Sequence, residues 1–193
     1  MLSVWGPALS AADREQVVAA TYDDYSVSAP TPELVVVCHG FGCKFRAEVE
    51  LSAADRGKLA QIMAGGKASP AAERQAVAGA WAWFDRRIAG RAGTRNHVAA
   101  AGAQYMFDAG QFDCIDASRN TTSLLLVLEQ LGLLRFHSVD VPVSRGLLID
   151  GRPLHYTAVL RENGNGVKWA VDSWTRAYGQ PAEVMSLARW RDG

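Results

Sequence analysis

The stretch that decides the fold runs Asp113-Cys-Ile-Asp-Ala-Ser-Arg-Asn-Thr-Thr-Ser-Leu-Leu-Leu-Val-Leu-Glu-Gln-Leu-Gly132. Its leucines recur at helical spacing and predict a long helix with one broad apolar face. These leucines are Leu124, Leu125, Leu128 and Leu131. Asp113 is typical of an N-cap residue, Asp116 of its capping-box partner, and Gly132 of a helix end. Cys114 is therefore expected at the first helical position.

Strand patterns lie on both sides of this helix. Residues 33–38 are apolar and β-branched and residues 44–51 alternate between apolar and charged, so with the turn at 39–42 they predict a hairpin. After the helix, period-two patterns predict an antiparallel meander. Its strands are expected at residues 138–143, 154–160 and 167–171.

Further helices are predicted from caps and apolar spacing. They cover residues 11–20, 52–63, 70–90 and 99–107, and a short C-terminal helix opens at Pro181. Helices and strands are segregated along the chain, which indicates an α+β fold. We expect a single domain over residues 1–193, in which an N-terminal part (1–98) packs on a core (99–193).

Composition narrows the classes of function. The chain has 193 residues, of which 49% are hydrophobic, enough for a sizeable core. Lys and Arg together number 20, as do Asp and Glu, so the formal net charge is +0. This balance predicts neither nucleic acid nor an anionic membrane as a partner. We expect no transmembrane segment, because no window has about 18 consecutive apolar residues.

The three cysteines divide into a close pair and a separate residue. Cys38 and Cys43 flank His-Gly-Phe-Gly at the hairpin turn, and a disulfide between them is weighed against two reduced cysteines. A disulfide favours an exported, periplasmic protein, whose export signal would lie upstream because residues 1–10 lack a signal-peptide pattern. Otherwise the protein is cytoplasmic. The spacing does not fit structural zinc, so we expect no metal.

Cys114 is the candidate nucleophile. A helix N-terminus carries partial positive charge that favours a thiolate, and its unpaired N–H groups can stabilise an oxyanion. Asp113 and Asp116 act in the opposite direction, because nearby negative charge raises the pKa of a thiol. The alternative is an inert structural cysteine.

His155 and Asp172 open and close the last predicted hairpin. If Asn163 and Gly164 form a two-residue loop, His155 and Asp172 are directly opposed. A four-residue loop instead sets Asp172 opposite Thr157, one diagonal step from His155 on the same face. In either register the carboxylate can orient the imidazole, although a surface ion pair is the plainer alternative.

These residues resemble a known family. The segments Asp113-Cys-Ile-Asp-Ala-Ser-Arg-Asn120, His155-Tyr-Thr-Ala-Val159 and Val171-Asp-Ser-Trp174 are similar to the transglutaminase-like superfamily, and more narrowly to bacterial transglutaminase-like cysteine peptidases. The resemblance covers about half the chain. It implies a papain-like fold and a catalytic triad in which Cys114 is the nucleophile, His155 the general base and acid, and Asp172 the orienting carboxylate.

The activity implied is a cysteine hydrolase or acyltransferase that cleaves peptide or isopeptide amides through a thioester, without a cofactor. Its partner would be a peptide or protein substrate, with cell-wall peptides among the candidates. The resemblance does not identify the second oxyanion donor. The candidates, by their nearness to Cys114 in the sequence, are Gln111, Gln104 and Tyr105. Trp174 is a candidate cleft wall, and with Trp190 it is expected to cover the hairpin.

Two other classes of function remain open. The same fold could be a non-catalytic interaction or scaffold domain with a relict triad. A metal-binding module would use His39, His97, His137 and the cysteines, although their scattered spacing disfavours it. Oligomeric state cannot be predicted from the sequence.

Overall fold

A computed structural model describes residues 11–23, 27–146 and 153–193. Residues 1–10, and with them the prediction about a signal peptide, lie outside the described part. The elements follow the order α1 (Ala11–Tyr22), β1 (Leu34–His39), β2 (Phe45–Glu50), α2 (Ala53–Met63), α3 (Pro70–Ala92), α4 (Cys114–Gln130), β3 (His137–Arg145), β4 (His155–Glu162), β5 (Lys168–Asp172), β6 (Glu183–Ser186) and α5 (Leu187–Asp192). The described chain is a mixed α+β protein with antiparallel sheets.

The N-terminal hairpin forms as predicted. β1 pairs antiparallel with β2, from Leu34 opposite Glu50 to His39 opposite Phe45. A disulfide joins Cys38 to Cys43 across the turn. The predicted bridge is therefore confirmed, and Cys114 is the free cysteine.

The helices before Cys114 differ from prediction at their ends. α3 continues through Gly90 to Ala92, and Gly93 ends it with a left-handed φ of 73°. The helix predicted over residues 99–107 is wrong, because only Ala103–Tyr105 forms a short 3-10 turn. Ala100 has a φ of 50°, which a continuous right-handed helix cannot contain. Its N–H donates to the Trp174 carbonyl at 2.7 Å, outside any helix.

α4 begins where the sequence predicts. Asp113 is its N-cap and accepts the Asp116 N–H at 2.7 Å, and the Asp116 side chain accepts from the Asp113 N–H to complete a capping box. Both hydrogen bonds fix the first turn of the helix, so Cys114 stands at its first position. Every side chain of Leu124 to Leu128 is fully buried, as the apolar face requires.

The second sheet has four strands in the order β3-β4-β5-β6. The prediction of a helix that opens at Pro181 is wrong, because this region contains a strand, β6, that the sequence pattern did not indicate. Glu183–Ser186 pairs with β5, from Trp169 opposite Ser186 to Asp172 opposite Glu183. The helix begins only at Leu187, after Ser186, whose side chain caps it.

The β4–β5 hairpin selects one of the two predicted registers. Ala158 faces Val171 and Arg161 faces Lys168, so the loop is the longer one. Glu162 donates from its N–H to the Val167 carbonyl at 2.8 Å, which closes that four-residue loop. His155 and Asp172 are consequently diagonal neighbours on one face of the sheet.

α4 lies at the centre of the molecule. One apolar cluster joins its leucines to Val35 and Val37 of β1, to Trp81 and Phe84 of α3, and to the meander. Because α4 packs against elements from both halves of the chain, its first turn is held at a fixed position relative to β4 and β5. None of the helices in the described ranges is long and apolar enough to cross a membrane.

Candidate active site

Cys114 presents its thiol to the start of β4. The side chain is half-buried, and its Sγ donates a long hydrogen bond of 3.8 Å to the carbonyl of Leu154. The backbone N–H of Tyr156 also interacts with the sulfur. The thiol therefore contacts the backbone on both sides of His155. Leu154 is 46% exposed, so this contact lies near the surface.

His155 and Asp172 form a direct pair. Nε2 of His155 lies 2.5 Å from Oδ2 of Asp172, and both side chains are buried. Ser173 fixes the end of β5 against α4, because its hydroxyl accepts from Thr121 at 2.8 Å and donates to the Ala117 carbonyl at 3.4 Å. Two hydrogen bonds thus hold the end of β5, which carries Asp172, against α4, which carries Cys114.

Two tryptophans enclose the imidazole. The His155 ring centroid lies 4.7 Å from that of Trp174 and 5.3 Å from that of Trp190. Trp190 also donates from Nε1 to Oδ2 of Asp172 at 2.8 Å. Both tryptophans cover the pair as expected, but the sequence did not reveal the hydrogen bond from Trp190. The only available signal was that a buried indole N–H needs an acceptor.

The second ring nitrogen of His155 remains open for chemistry. Nδ1 is buried and has no hydrogen-bond partner among the described residues. Buried imidazole nitrogens normally have partners, so Nδ1 keeps an unused capacity to bind a proton or a hydrogen-bond donor. With Nε2 committed to Asp172, Nδ1 is the nitrogen that can exchange a proton with a thiol or a substrate.

The electrostatics of Cys114 differ from the expectation for a helix N-terminus. Burial raises the pKa of its thiol to about 11, and the carboxylates of Asp113 and Asp172 add to the increase. The N–H groups of Tyr156 and Cys114 counteract this only in part. Desolvation and negative charge therefore outweigh the helix dipole, and the resting side chain is a neutral thiol at neutral pH.

The two carboxylates beside Cys114 are not free. Asp116 accepts backbone N–H groups from Phe41 at 2.8 Å and Cys43 at 2.6 Å. Asp113 accepts that of Gly42 at 2.8 Å. Burial and the neighbouring Asp113 charge nevertheless raise the pKa of Asp116 to about 7. The sequence predicted the capping box but not its contact with the hairpin turn.

The predicted oxyanion candidates occupy different surroundings. The Gln111 amide is engaged elsewhere, because Nε2 donates to the Asn96 carbonyl at 3.2 Å and Oε1 accepts the Val98 N–H at 2.9 Å. Gln104 is exposed and Tyr105 half-buried, both in the short 3-10 turn. Nε1 of Trp174 is buried without an acceptor in the described part of the chain. Trp174 is therefore the one candidate that combines an available donor with contact to His155.

A small cleft lies between α1, α4 and the second sheet, and Cys114, His155 and Asp172 do not line it. Its volume is about 130 Å³. Ile115 and Ser118 line it from α4 together with Arg119, and Tyr156 and Pro142 line it from the sheet. Ala20 and Thr21 of α1 complete the lining. Because successive side chains of a strand point to opposite faces, Tyr156 faces away from His155, and the cleft is separate from the candidate triad.

The other histidines have partners outside the candidate site. His97 pairs with Asp85 at 2.9 Å, His137 with Glu73 at 2.9 Å, and His39 with the Ala109 carbonyl at 2.7 Å. Nε2 of His137 lies 3.2 Å from the guanidinium of Arg74. Within residues 11–23, 27–146 and 153–193, no three His, Cys, Asp or Glu side chains are arranged to hold a metal ion.

Comparison with known proteins identifies no relative of this chain. The chain matches no family model, and no curated protein or solved structure is similar to it. The transglutaminase-like resemblance therefore stays a prediction, and the functional argument depends on the geometry of the site.

Proposed function

We propose that the protein is a cysteine-dependent acyl-transfer enzyme that cleaves amide bonds through Cys114, His155 and Asp172. One observation carries this proposal. His155 is oriented by Asp172 through Nε2 and keeps a buried, unpartnered Nδ1, while the thiol of Cys114 lies against the backbone on both sides of it. A nucleophile, a base and an orienting group within one small region are the elements of covalent catalysis.

The first step is attack by the thiol on a substrate carbonyl. Because burial keeps the thiol protonated at rest, His155 must remove its proton as the C–S bond forms. In the structure the thiol donates to the Leu154 carbonyl and Nδ1 has no partner among the described residues, so the S–H must turn toward Nδ1 when substrate binds. Asp172 then stabilises the imidazolium through Nε2.

The negative charge that develops on the carbonyl oxygen needs two donors. The N–H of Cys114 is at the first helical position, where no intrahelical acceptor exists, and supplies one. The indole N–H of Trp174 is the candidate for the second.

Collapse of the intermediate completes the transfer. Imidazolium His155 gives its proton to the leaving amine, the C–N bond breaks, and a thioester remains on Cys114. Water, deprotonated by His155, then attacks the thioester and releases a carboxylic acid. An amine in place of water would give a new amide, but hydrolysis is the simpler outcome.

The substrate class follows from the bond that the thiol would attack. A peptide or isopeptide amide presents the carbonyl that such a nucleophile needs. We include cell-wall peptides among the candidates, because the Cys38–Cys43 disulfide favours an exported protein. The papain-like arrangement of helix and sheet is part of the same proposal.

Acylation by an activated ester tests the proposal without knowledge of the substrate. Purified protein mixed with p-nitrophenyl acetate should release a burst of p-nitrophenolate and acquire one acetyl group on the peptide that contains Cys114. The Cys114→Ala variant should show neither. In His155→Ala, acylation should slow by on the order of 100-fold or more, since no base remains to take the thiol proton.

The matched control is His97→Ala, which removes a histidine from an equally buried carboxylate pair that lacks a thiol. Provided that it stays folded, this variant should retain the burst. Equal acylation rates in the unmodified protein and His155→Ala would instead favour a scaffold domain with a relict triad.

A further inference from the structure

The hairpin turn and the nucleophile helix are connected by a dense set of hydrogen bonds. We call residues 38–43 the disulfide loop. Besides the three N–H groups that reach Asp113 and Asp116, Cys38 exchanges two hydrogen bonds of 2.8 Å with the side chain of Asn120. The Gly40 N–H donates to the Gln111 carbonyl at 2.9 Å. The disulfide loop thus binds the segment from three residues before α4 to its second turn.

The disulfide loop has an unusual backbone. Gly40, Phe41, Gly42 and Cys43 all have left-handed φ angles, of 78°, 72°, 65° and 58°. Phe41 and Cys43 adopt this conformation at a steric cost, because their Cβ atoms crowd the backbone. Successive turn-forming residues of this kind direct neighbouring N–H groups into one concavity that binds anions. Here the anions are the carboxylates of Asp113 and Asp116.

These carboxylates lie on both sides of the nucleophile in sequence. Asp113 precedes Cys114, and Asp116 follows it by two residues as the N3 residue of the capping box. The Asp113 charge is unfavourable to a thiolate, and the three N–H donors of the disulfide loop stabilise the two carboxylates by hydrogen bonds. The same bonds fix the first turn of α4, and hence the position of Sγ relative to His155.

We propose that the disulfide loop and Asp116 position the nucleophile, and that reduction of the Cys38–Cys43 bond lowers the reactivity of Cys114. This inference rests on the proposed function. In the reduction, a dithiol gives two electrons and two protons to the S–S bond, becomes a disulfide itself, and leaves two thiols at Cys38 and Cys43. The opened loop loses its strained conformation, so the carboxylates lose their N–H donors and the first turn of α4 is released.

The test measures the rate at which iodoacetamide alkylates Cys114, followed by mass spectrometry of its peptide. The Cys38→Ala/Cys43→Ala double variant retains Cys114 as its sole cysteine. We expect its rate to fall by on the order of 10- to 100-fold, the effect of a misplaced reacting group. Unmodified protein reduced with a dithiol should show the same fall and recover fully after reoxidation, which a loss of fold would not allow. Far-UV circular dichroism monitors folding throughout.

Asp116→Asn tests the contact with the disulfide intact. Its amide group can accept only one of the two N–H bonds, so alkylation should slow even if the double variant fails to fold. The matched control is Asp55→Asn, which alters the N3 residue of the capping box of α2 and should leave the rate unchanged.

The outcomes separate the two proposals. If the double variant, the reduced protein and Asp116→Asn all alkylate at the unmodified rate while His155→Ala is slow, the positioning role is overturned and the proposed function stands. Equal slowing by Asp116→Asn and Asp55→Asn would also overturn it. If His155→Ala reacts as fast as the unmodified protein, the thiol is not activated and both proposals fail.

Discussion

At the scale of single residues, Asp172 links the imidazole to the hydrophobic core. Its Oδ2 accepts from both His155 and Trp190, so one oxygen holds the imidazole and satisfies a buried indole N–H. Oδ1 has no partner among the described residues. An asparagine at this position could still accept both hydrogen bonds through its one carbonyl oxygen, but it would lack the negative charge.

A graded loss of activity is therefore expected at Asp172. Asp172→Ala should reduce the acylation rate with p-nitrophenyl acetate by on the order of 100- to 10,000-fold, because the imidazole loses both orientation and charge stabilisation. It should also cost about 1–3 kcal/mol of stability, since the Trp190 indole would be buried without an acceptor. Asp172→Asn should give an intermediate rate. An alanine variant as fast as the unmodified protein would show that the carboxylate does not act on His155.

At the scale of elements, the first turn of α4 combines a structural cap with an unfavourable charge. Asp113 caps the helix, yet its carboxylate is one of the groups that raise the pKa of Cys114 to about 11. These two effects can be separated, because asparagine caps helices about as well as aspartate and carries no charge.

Asp113→Asn should thus lower the pKa of the Cys114 thiol. The unfolding midpoint in urea should fall slightly, because the amide group can keep the cap but cannot also accept the Gly42 N–H. Asp113→Ala should lower the same pKa and also cost about 1 kcal/mol of stability, through the lost cap. Absorbance of the thiolate during an alkaline titration measures the pKa in both variants, compared with a Cys114→Ala blank. A pKa that rises or stays unchanged in Asp113→Asn would contradict the electrostatic assignment.

The sequence predicted elements best where one local signal dominates. The capping box of α4, the alternation in β2 and the Asn-Gly signal between β4 and β5 all led to elements that the structure contains. The longer hairpin loop could not be chosen from the sequence, because both loops keep His155 and Asp172 on one face. β6 was missed because Glu183–Ser186 is short and its pairing with β5 is a tertiary contact.

At the scale of the whole molecule, the unpredicted features are contacts between distant segments. The sequence predicted the disulfide, but not that its loop donates three N–H groups to residues about 70 positions later. Nor could it weigh burial against the helix dipole at Cys114, because burial depends on how α4 packs against both sheets. The positions of Cys114 and His155 within their elements could be predicted, since a helix cap and a hairpin are local signals. The electrostatics around them are a property of the assembled fold.

The central claim is that His155 removes the proton of a thiol that is neutral at rest. The most direct measurement is the rate of Cys114 alkylation as a function of pH, in the unmodified protein and in His155→Ala. In His155→Ala, the rate should rise tenfold per pH unit toward a midpoint near about 11, the pKa that burial imposes on the thiol. The unmodified protein should react well above this curve at neutral pH. Two superimposed profiles would contradict the account.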